Sequence, residues 1–511
     1  MSKAKIVLAS IIWLCILAIG VLLYRLWWKP SEETKAKAHE DAVVGATSNT
    51  TNYKQHIKLG LDGFSGYAVL RSTELSTRLK ASEIKLEPVD DAADYTARLN
   101  ALADGRLQMA AFPIDALLIA CANKKSMPAV IVSLIDESRG ADALVAYKER
   151  YPTIDSLNSP DTRFVLVGGS PSETLFRVLL NHFRLDQVTP KSIVSVSSAD
   201  ELQKRFKAAK PTGNEVFVTW EPFVSRMLAD PAMHVLVDTK PHSGKIVDAL
   251  VVNRDFLLKN EPTVRQVLEE YFRALYGFRE RSAMKELVAR DSEAGGLVLS
   301  GEQADKLVDG IQWKNTQENY AHFGMRPDSV SNVESLIDRI KRVLLDTHAM
   351  AQDPTGGESG KLFYDAPLRE MFNAGFHPGS EKESVRTNET LRELSEEEWK
   401  KLVPVGTLSL PPLVFARGRD TLTDASKQSL DELVEKLESW PLYYVRVVGS
   451  AGSKGDVEAN RRLAAQRAEA AAEYLRSRNI PAGRIRAVGA TAAGDKGGDM
   501  SVSFIFVQMP Y

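Results

Sequence analysis

From Ile6 to Tyr24 the chain reads IVLASIIWLCILAIGVLLY, nineteen residues without a charge. As a helix rising 1.5 Å per residue, a run of that length approaches the roughly 30 Å of bilayer hydrocarbon. Tyr24, Trp27 and Trp28 are suited to a headgroup interface, and Arg25 and Lys29 are long enough to snorkel there. The competing reading is a cleaved signal peptide. Its apolar core would run about 7–15 residues and end at a small-x-small site. This run is longer and passes straight into YRLWWK, so residues 1–29 are expected to be a cytoplasmic stub and a retained transmembrane anchor. The span holds no Asp or Glu, and proton conduction would need an ionisable group there, so the helix reads as a tether. Lys3 and Lys5 precede the span while Arg25 and Lys29 follow it, so flanking charge alone does not orient it.

The remaining chain of this 511-residue protein is long enough for at least two domains. A formal net charge of -2 gives no basic field to draw it to nucleic acid. Its two cysteines, Cys15 and Cys121, sit in an apolar run and an alanine-rich one, which argues against a disulfide framework. No CxxC, HExxH or phosphate-loop motif occurs, and the eight histidines are scattered. No cofactor or metal is therefore expected. No Ser/His/Asp, Cys/His or paired-carboxylate spacing stands out, so a non-enzymatic protein is expected.

Residues 30–53 are rich in Lys, Glu, Ala, Ser and Thr and read as a flexible linker, spanning about 25–30 Å as a coil. From 54 to 347 short apolar runs alternate with helical patterns. The strands expected are 57–61, 84–89, 109–112, 129–135, 143–147, 163–167, 192–196, 215–220, 234–238 and 248–252. Such alternation argues for an α/β domain with mainly parallel strands. Residues 348–402 read as linker and connecting helices, with the breaker-rich DPTGGESG at 353–360. A compact domain then occupies 403–511.

Several strands end in small or polar residues. After IKLGL comes Asp62-Gly63-Phe64-Ser65-Gly66-Tyr67, and after RFVLV comes Gly168-Gly169-Ser170-Pro171-Ser172-Glu173. Ser170 as N-cap, Pro171 at the first helical position and Glu173 completing a capping box predict a helix start there, whose free N–H groups suit an anion. Ser170 as a plain cap remains the alternative. Trp220, Glu221 and Pro222 follow a buried strand directly, where ligands gather in open α/β sheets. Core packing is the alternative for Trp220. The segments GFSGY (63–67), LNALADGRLQMAAFPIDALL (99–118), VSLIDESRGADALVAYKE (132–149), VGGSPSETLFRVLLNHF (167–183) and VTWEPFVSRML (218–228), closing with 244–275, resemble in their order the periplasmic solute-binding proteins of the nitrate/taurine/thiamine-precursor type. The resemblance covers 54–345. It implies a type II periplasmic-binding-protein domain of two α/β lobes, with a cleft that closes on a small solute by hinge motion. By position the cleft residues would be Phe64, Ser65, Gly66, Asp115, Ser138, Gly169, Ser170, Trp220 and Asp248. Relatives of this type often bind small anions or compact organic molecules, and a small solute, anionic among other options, is the expected ligand.

Residues 403–511 follow a β-α-β-α-β-β order. Leu430, Leu433, Val434 and Leu437 mark one helix face at i, i+3, i+4 and i+7. Phe415, Gly449, Asn460, Leu463, Arg467 and Ala468 resemble the OmpA-like peptidoglycan-binding domain, which also closes MotB-type stator proteins. That resemblance implies a small α+β fold. It gives Asn460, Leu463 and Arg467 to peptidoglycan, with Arg467 holding the stem-peptide carboxylate as a charge-assisted pair. The family aspartate that takes the ligand's ammonium is replaced by Gly452. Asp456 could substitute if its loop folds back. Asp499-Met500-Ser501 stands where the family has Asn-Arg-Arg. Wall binding and a docking role both remain open.

Both resemblances imply work outside the cytoplasm, so with the anchor the chain is expected to be a bacterial inner-membrane protein, single-pass, with its N-terminus cytoplasmic and its bulk in the periplasm. The function expected is binding of a small solute or wall fragment, with peptidoglycan or a partner held by the second domain. Two alternatives stand beside it. One is the substrate-binding component of an ABC-type importer with a permease partner. The other is a structural subunit of an envelope or motor-like complex of inner-membrane proteins, its cleft vestigial.

Overall fold

A computed structural model describes residue 43 and residues 53–510, apart from 242–243, 328–331, 380–382, 387–390, 417, 451–455 and 490–501. The expected anchor, nearly all of the first linker, Gly452 and the Asp499–Ser501 triplet lie outside the described residues. Among the described residues, no helix is long and apolar enough to cross a membrane.

Fifteen strands form among those residues: β1 (Gln55–Leu61), β2 (Ile84–Asp90), β3 (Met109–Pro113), β4 (Ala129–Ser138), β5 (Asp142–Tyr147), β6 (Arg163–Val167), β7 (Ile193–Val196), β8 (Glu215–Trp220), β9 (Met233–Asp238), β10 (Val247–Asn253), β11 (Ile311–Trp313), β12 (Val403–Thr407), β13 (Tyr444–Gly449), β14 (Ile485–Gly489) and β15 (Val502–Gln508). They make three sheets, ordered β11-β4-β10-β3-β1-β2 (lobe 1), β7-β6-β8-β5-β9 (lobe 2) and β12-β15-β13-β14 (the C-terminal domain). The first two share one plan. Parallel pairs β1/β3, β6/β7 and β6/β8 form the body, and one strand, β10 or β5, runs antiparallel between two neighbours, with β11 a further antiparallel edge on β4. In each lobe that inserted strand is reached by a crossing from the other lobe. Strands buried on both faces read as continuous apolar runs, and β3, β4, β5 and β10 are buried along their whole lengths.

All ten expected strands are present. Only the three-residue β11 is additional, since IQW is too short to show a period. The expected linker at 353–360 is a stapled turn on lobe 1. The Lys341 ammonium donates to Ser359 at 2.7 Å and pairs with Asp353 at 3.2 Å. The chain then donates from Tyr364 N–H to the Ile131 carbonyl at 2.8 Å. Glycines and a proline signal turns, but a buried lysine's partners cannot be read from that signal.

The C-terminal domain has the expected β-α-β-α-β-β order, with helices Asp424–Ser439 and Val457–Ser477. Leu430, Leu433 and Leu437 are fully buried. Its core is continuous with that of lobe 2, where Leu166, Phe176 and Val218 cluster with Leu408, Leu430, Trp440 and Phe506. The join is specific. Trp440, fully buried, donates its indole N–H to His182 Nδ1 at 2.7 Å. Phe183 meets Trp440 and Phe506 edge-on at 5.7 and 5.9 Å. Asp155 accepts from both the Thr407 N–H and hydroxyl, at 2.7 and 2.8 Å. Gly406 lies so close that a Cβ there would come within 2.8 Å of the Phe183 ring and 2.9 Å of Ile154.

Trp440→Ala would open a cavity at this join and leave His182 without its donor. The expected loss is about 3–5 kcal/mol, read by urea denaturation. A loss below about 1 kcal/mol would show that the join does not hold the domain.

Candidate functional site

Two chain crossings, residues 139–141 and 239–246, connect the lobes. Their ends are tied to one another. The Ser138 N–H donates to the Ile246 carbonyl at 3.0 Å, and Gly140 N–H to the Thr239 hydroxyl at 2.8 Å. Ser138 and Ser172 donate to the two oxygens of Asp142 at 2.6 and 2.5 Å. Glu137 accepts from Lys314 at 2.6 Å and from Gly244 N–H at 2.7 Å. Burial alone would raise the Glu137 pKa, but Lys314 and Arg139 hold it down at about 2.

A side-chain bond also joins the lobes directly. Asp115, at the start of the lobe 1 helix Ile114–Lys124, accepts from the hydroxyl of Thr174, in the first turns of the lobe 2 helix Pro171–His182. Burial pushes the Asp115 pKa up to about 6, against the Thr174 hydroxyl and the helix-start N–H groups, which lower it. Beneath the Ser65–Tyr67 turn lies a second acidic set. Tyr67 donates to Asp248 at 2.7 Å, and Asp136 stands opposite Asp248 in register. Both carboxyls are buried and raised by desolvation, each further affected by the other. Neither Asp136 oxygen meets an N–H or O–H donor of another group. Two carboxyls this buried and this close resist ionising together. Gly66 permits this packing, since a Cβ there would come within 2.3 Å of an Asp136 oxygen.

The structure therefore brings Ser65, Gly66 and Asp248 into one lobe 1 cluster. Asp115 lies at the lobe boundary and Ser138 in the crossing. Phe64 is half-buried and meets Tyr67 edge-on at 5.3 Å. Trp220 stands opposite Asp142 in register, half-buried, with its ring edge-on to Phe223. Gly169 and Ser170 serve their own turn. Gly169 N–H donates to Glu173 at 2.7 Å, and the Ser170 hydroxyl donates back to the Val167 carbonyl at 2.8 Å. The expected capping box is not formed: Ser170 is the N-cap, but its side chain accepts no helix N–H, and Glu173 takes the N–H of Gly169, at φ +74°, in place of that of Ser170. Sequence reasoning missed Thr174, Asp136, Asp142 and Thr239. The two aspartates were visible as acids beside a strand crossing. Thr174 carries no sequence signal.

In the C-terminal domain, Arg467 lies over the Phe415 ring at 4.8 Å and donates from Nε to the Arg419 carbonyl at 3.0 Å. Asn460 and Leu463 precede it on the same helix, both half-buried. Asp456, the alternative acceptor, is engaged locally. It is the N-cap of that helix, accepting from Glu458 and Ala459 N–H at 2.9 and 3.0 Å. An acceptor engaged in capping is a poor substitute for the missing family aspartate.

The raised Asp115 pKa has a signed consequence. The native state keeps this proton up to about 6, while an unfolded Asp loses it near 4. Stability from this group is full below about 4 and falls as pH rises through about 6. Asp115→Asn, which still accepts from Thr174, should flatten that slope by at most roughly 3 kcal/mol. Urea unfolding at acid and neutral pH reads it, and an unchanged slope would contradict the assignment.

Among solved structures, the chain is similar to the periplasmic aliphatic sulphonate binding protein SsuA from Escherichia coli. The identity is 16%, covering 62% of this chain and 99% of that one, with a TM-score of 0.47. The alkanesulfonate-binding protein SsuA from Xanthomonas axonopodis pv. citri, bound to MOPS, gives 15% identity, 61% and 99% coverage and a TM-score of 0.46. A putative sulfonate-binding SsuA from Methylobacillus flagellatus KT gives 14%, 65%, 99% and 0.48. No curated protein matches the chain. Residues 414–498 match the model of the OmpA family, so the chain carries an OmpA-family domain C-terminal to its two α/β lobes.

Proposed function

We propose that this chain is a non-enzymatic, inner-membrane-anchored periplasmic protein that binds a small solute between its two lobes and contacts peptidoglycan or a partner protein through its OmpA-family domain. The observation that carries the solute reading is the Thr174–Asp115 bond across two lobes linked by two crossings. Facing polar groups on hinged halves are what a closing cleft requires. The side chains there are carboxyls and hydroxyls, and the nearby Arg98 is already engaged by Asp62 and Asp91 at 2.9 and 2.5 Å. This chemistry favours a solute that donates hydrogen bonds, an amine or amide, over the free anion that the resemblance admits. A thermal-shift screen tests it. Amines and amides should raise the melting temperature more than sulfonates do. A response to sulfonates alone would reject the ligand class, and no response to any would reject solute binding.

The same bond favours a second reading, in which the cleft is permanently closed by its own side chains and the chain is a structural subunit. Asp115→Asn and Thr174→Val separate the two. They should alter solute affinity if the cleft works, and only stability if it is vestigial.

Anchoring rests on the charge-free run Ile6–Tyr24, and the wall contact on Arg467. The full chain should sediment with inner membranes and be digested by protease added to spheroplasts. A chain lacking residues 6–24 should bind purified sacculi, and Arg467→Ala should weaken that binding about tenfold or more, the scale of a lost charge-assisted pair. Sacculus binding indifferent to the substitution would leave the second domain as a docking module.

A further inference from the structure

A cavity of about 420 Å³ lies where the OmpA-family domain meets the two-lobed domain. This volume falls within the range of small-ligand sites. Four cationic side chains line it: Lys245, Arg339, Arg342 and Lys436. They come from three separate elements. Lys245 belongs to the return crossing between the lobes, Arg339 and Arg342 to the helix Val333–Asp346, and Lys436 to the helix Asp424–Ser439 of the OmpA-family domain.

Two of the four, Lys245 and Arg339, form no ion pair among the described residues. Arg342 pairs with Glu435, and Lys436 donates to the carbonyls of Asn181 and Ser409 at 3.0 and 2.8 Å. Lys245 is 4% exposed, and the bond seen from its ammonium goes to the Arg339 carbonyl at 3.1 Å. Arg339 Nε is buried without an acceptor. Neither residue has an ion pair with a described carboxylate. Three acids line the cavity as well: Glu435 is paired with Arg342, Asp346 accepts from Asn181 at 3.0 Å, and Glu432 acts on Lys436. Burial, with the neighbouring Arg339 and Arg342, pushes the Lys245 ammonium down to about 7. A buried Lys245 without an ion pair, beside a half-buried Arg339 whose Nε is enclosed without an acceptor, is costly in its charged form unless something negative completes the set.

We propose that this cavity binds a small oxyanion carrying two or more negative charges, with Lys245 and Arg339 as its principal ligands and Lys436 at its rim. Such an anion would bridge the return crossing and the OmpA-family domain, so its occupancy would bear on how the lobes move against that domain. The cavity lining shares no residue with the Asp115–Thr174 contact, and the site does not depend on a solute binding between the lobes.

Orthophosphate is the first probe and citrate the second, added to the chain lacking residues 6–24. At about a hundredfold excess over its Kd, phosphate or citrate should raise the melting temperature by about 3 °C or more. Lys245→Met and Arg339→Gln should each weaken binding about tenfold or more by calorimetry. Lys245→Met removes an unpaired buried charge, so its ligand-free melting temperature should equal or exceed that of the parent; Arg339→Gln carries the test if it does not. Asp115→Asn, in the inter-lobe cleft, should leave the anion response intact. The proposal is overturned if neither anion stabilises the parent, if the response survives both substitutions, or if Asp115→Asn abolishes it.

Discussion

Neither lobe can complete its sheet alone. β10 lies between β3 and β4 in lobe 1 and β5 between β8 and β9 in lobe 2, and each is delivered by a chain crossing from the other lobe. Every ladder bond of β10 therefore depends on the return crossing being in place. That explains the density of bonds at the crossings, where Ser138, Thr239 and Ser172 converge around Asp142, and Lys314 and Gly244 on Glu137. Buried charge is tolerated there because it is bonded on several sides at once. The Asp136–Asp248 pair, a short way into lobe 1, is the exception: burial raises both pKa values and so favours the neutral carboxyl.

Much of the fold was legible in the sequence, and the reason is burial. RFVLV and EVFVTW are strands covered on both faces, so composition alone bounds them, and both were placed to the residue. The OmpA-family domain was legible because Leu430, Leu433 and Leu437 keep the helical period. What escaped depends on partners distant in sequence. β11 exists because Ile311–Trp313 finds the free edge of β4. The 353–360 turn is held by Lys341, and Glu173 reaches Gly169 because that glycine adopts a left-handed backbone. The site followed the same division. Residues at strand ends, such as Ser65 and Asp248, could be named, while Thr174, within a helix, could not. Asp456 shows the converse, since an acid near the right position was already committed to a helix cap.

The join between lobe 2 and the OmpA-family domain combines apolar and polar devices in a small area. Phe183, Trp440 and Phe506 supply aromatic contact, and Asp155 and His182 fix its register through directional bonds. Fully buried aromatics contribute most of the energy of such a contact, and bonded polar groups its geometry. A second span of the same boundary, around Lys245 and Arg339, is polar and incompletely neutralised. One boundary thus has a dry, fixed part and a charged, hollow part.

The continuous core across this boundary has a mechanical consequence. Two domains joined only by a coil would let the coil stretch first under tension. Here the chain enters β12 beside Asp155, and Trp440 is seated in lobe 2, so a pull on the OmpA-family domain is resisted by lobe 2 itself. The compliant elements are then the two crossings, and tension would be felt as a change in the angle between the lobes.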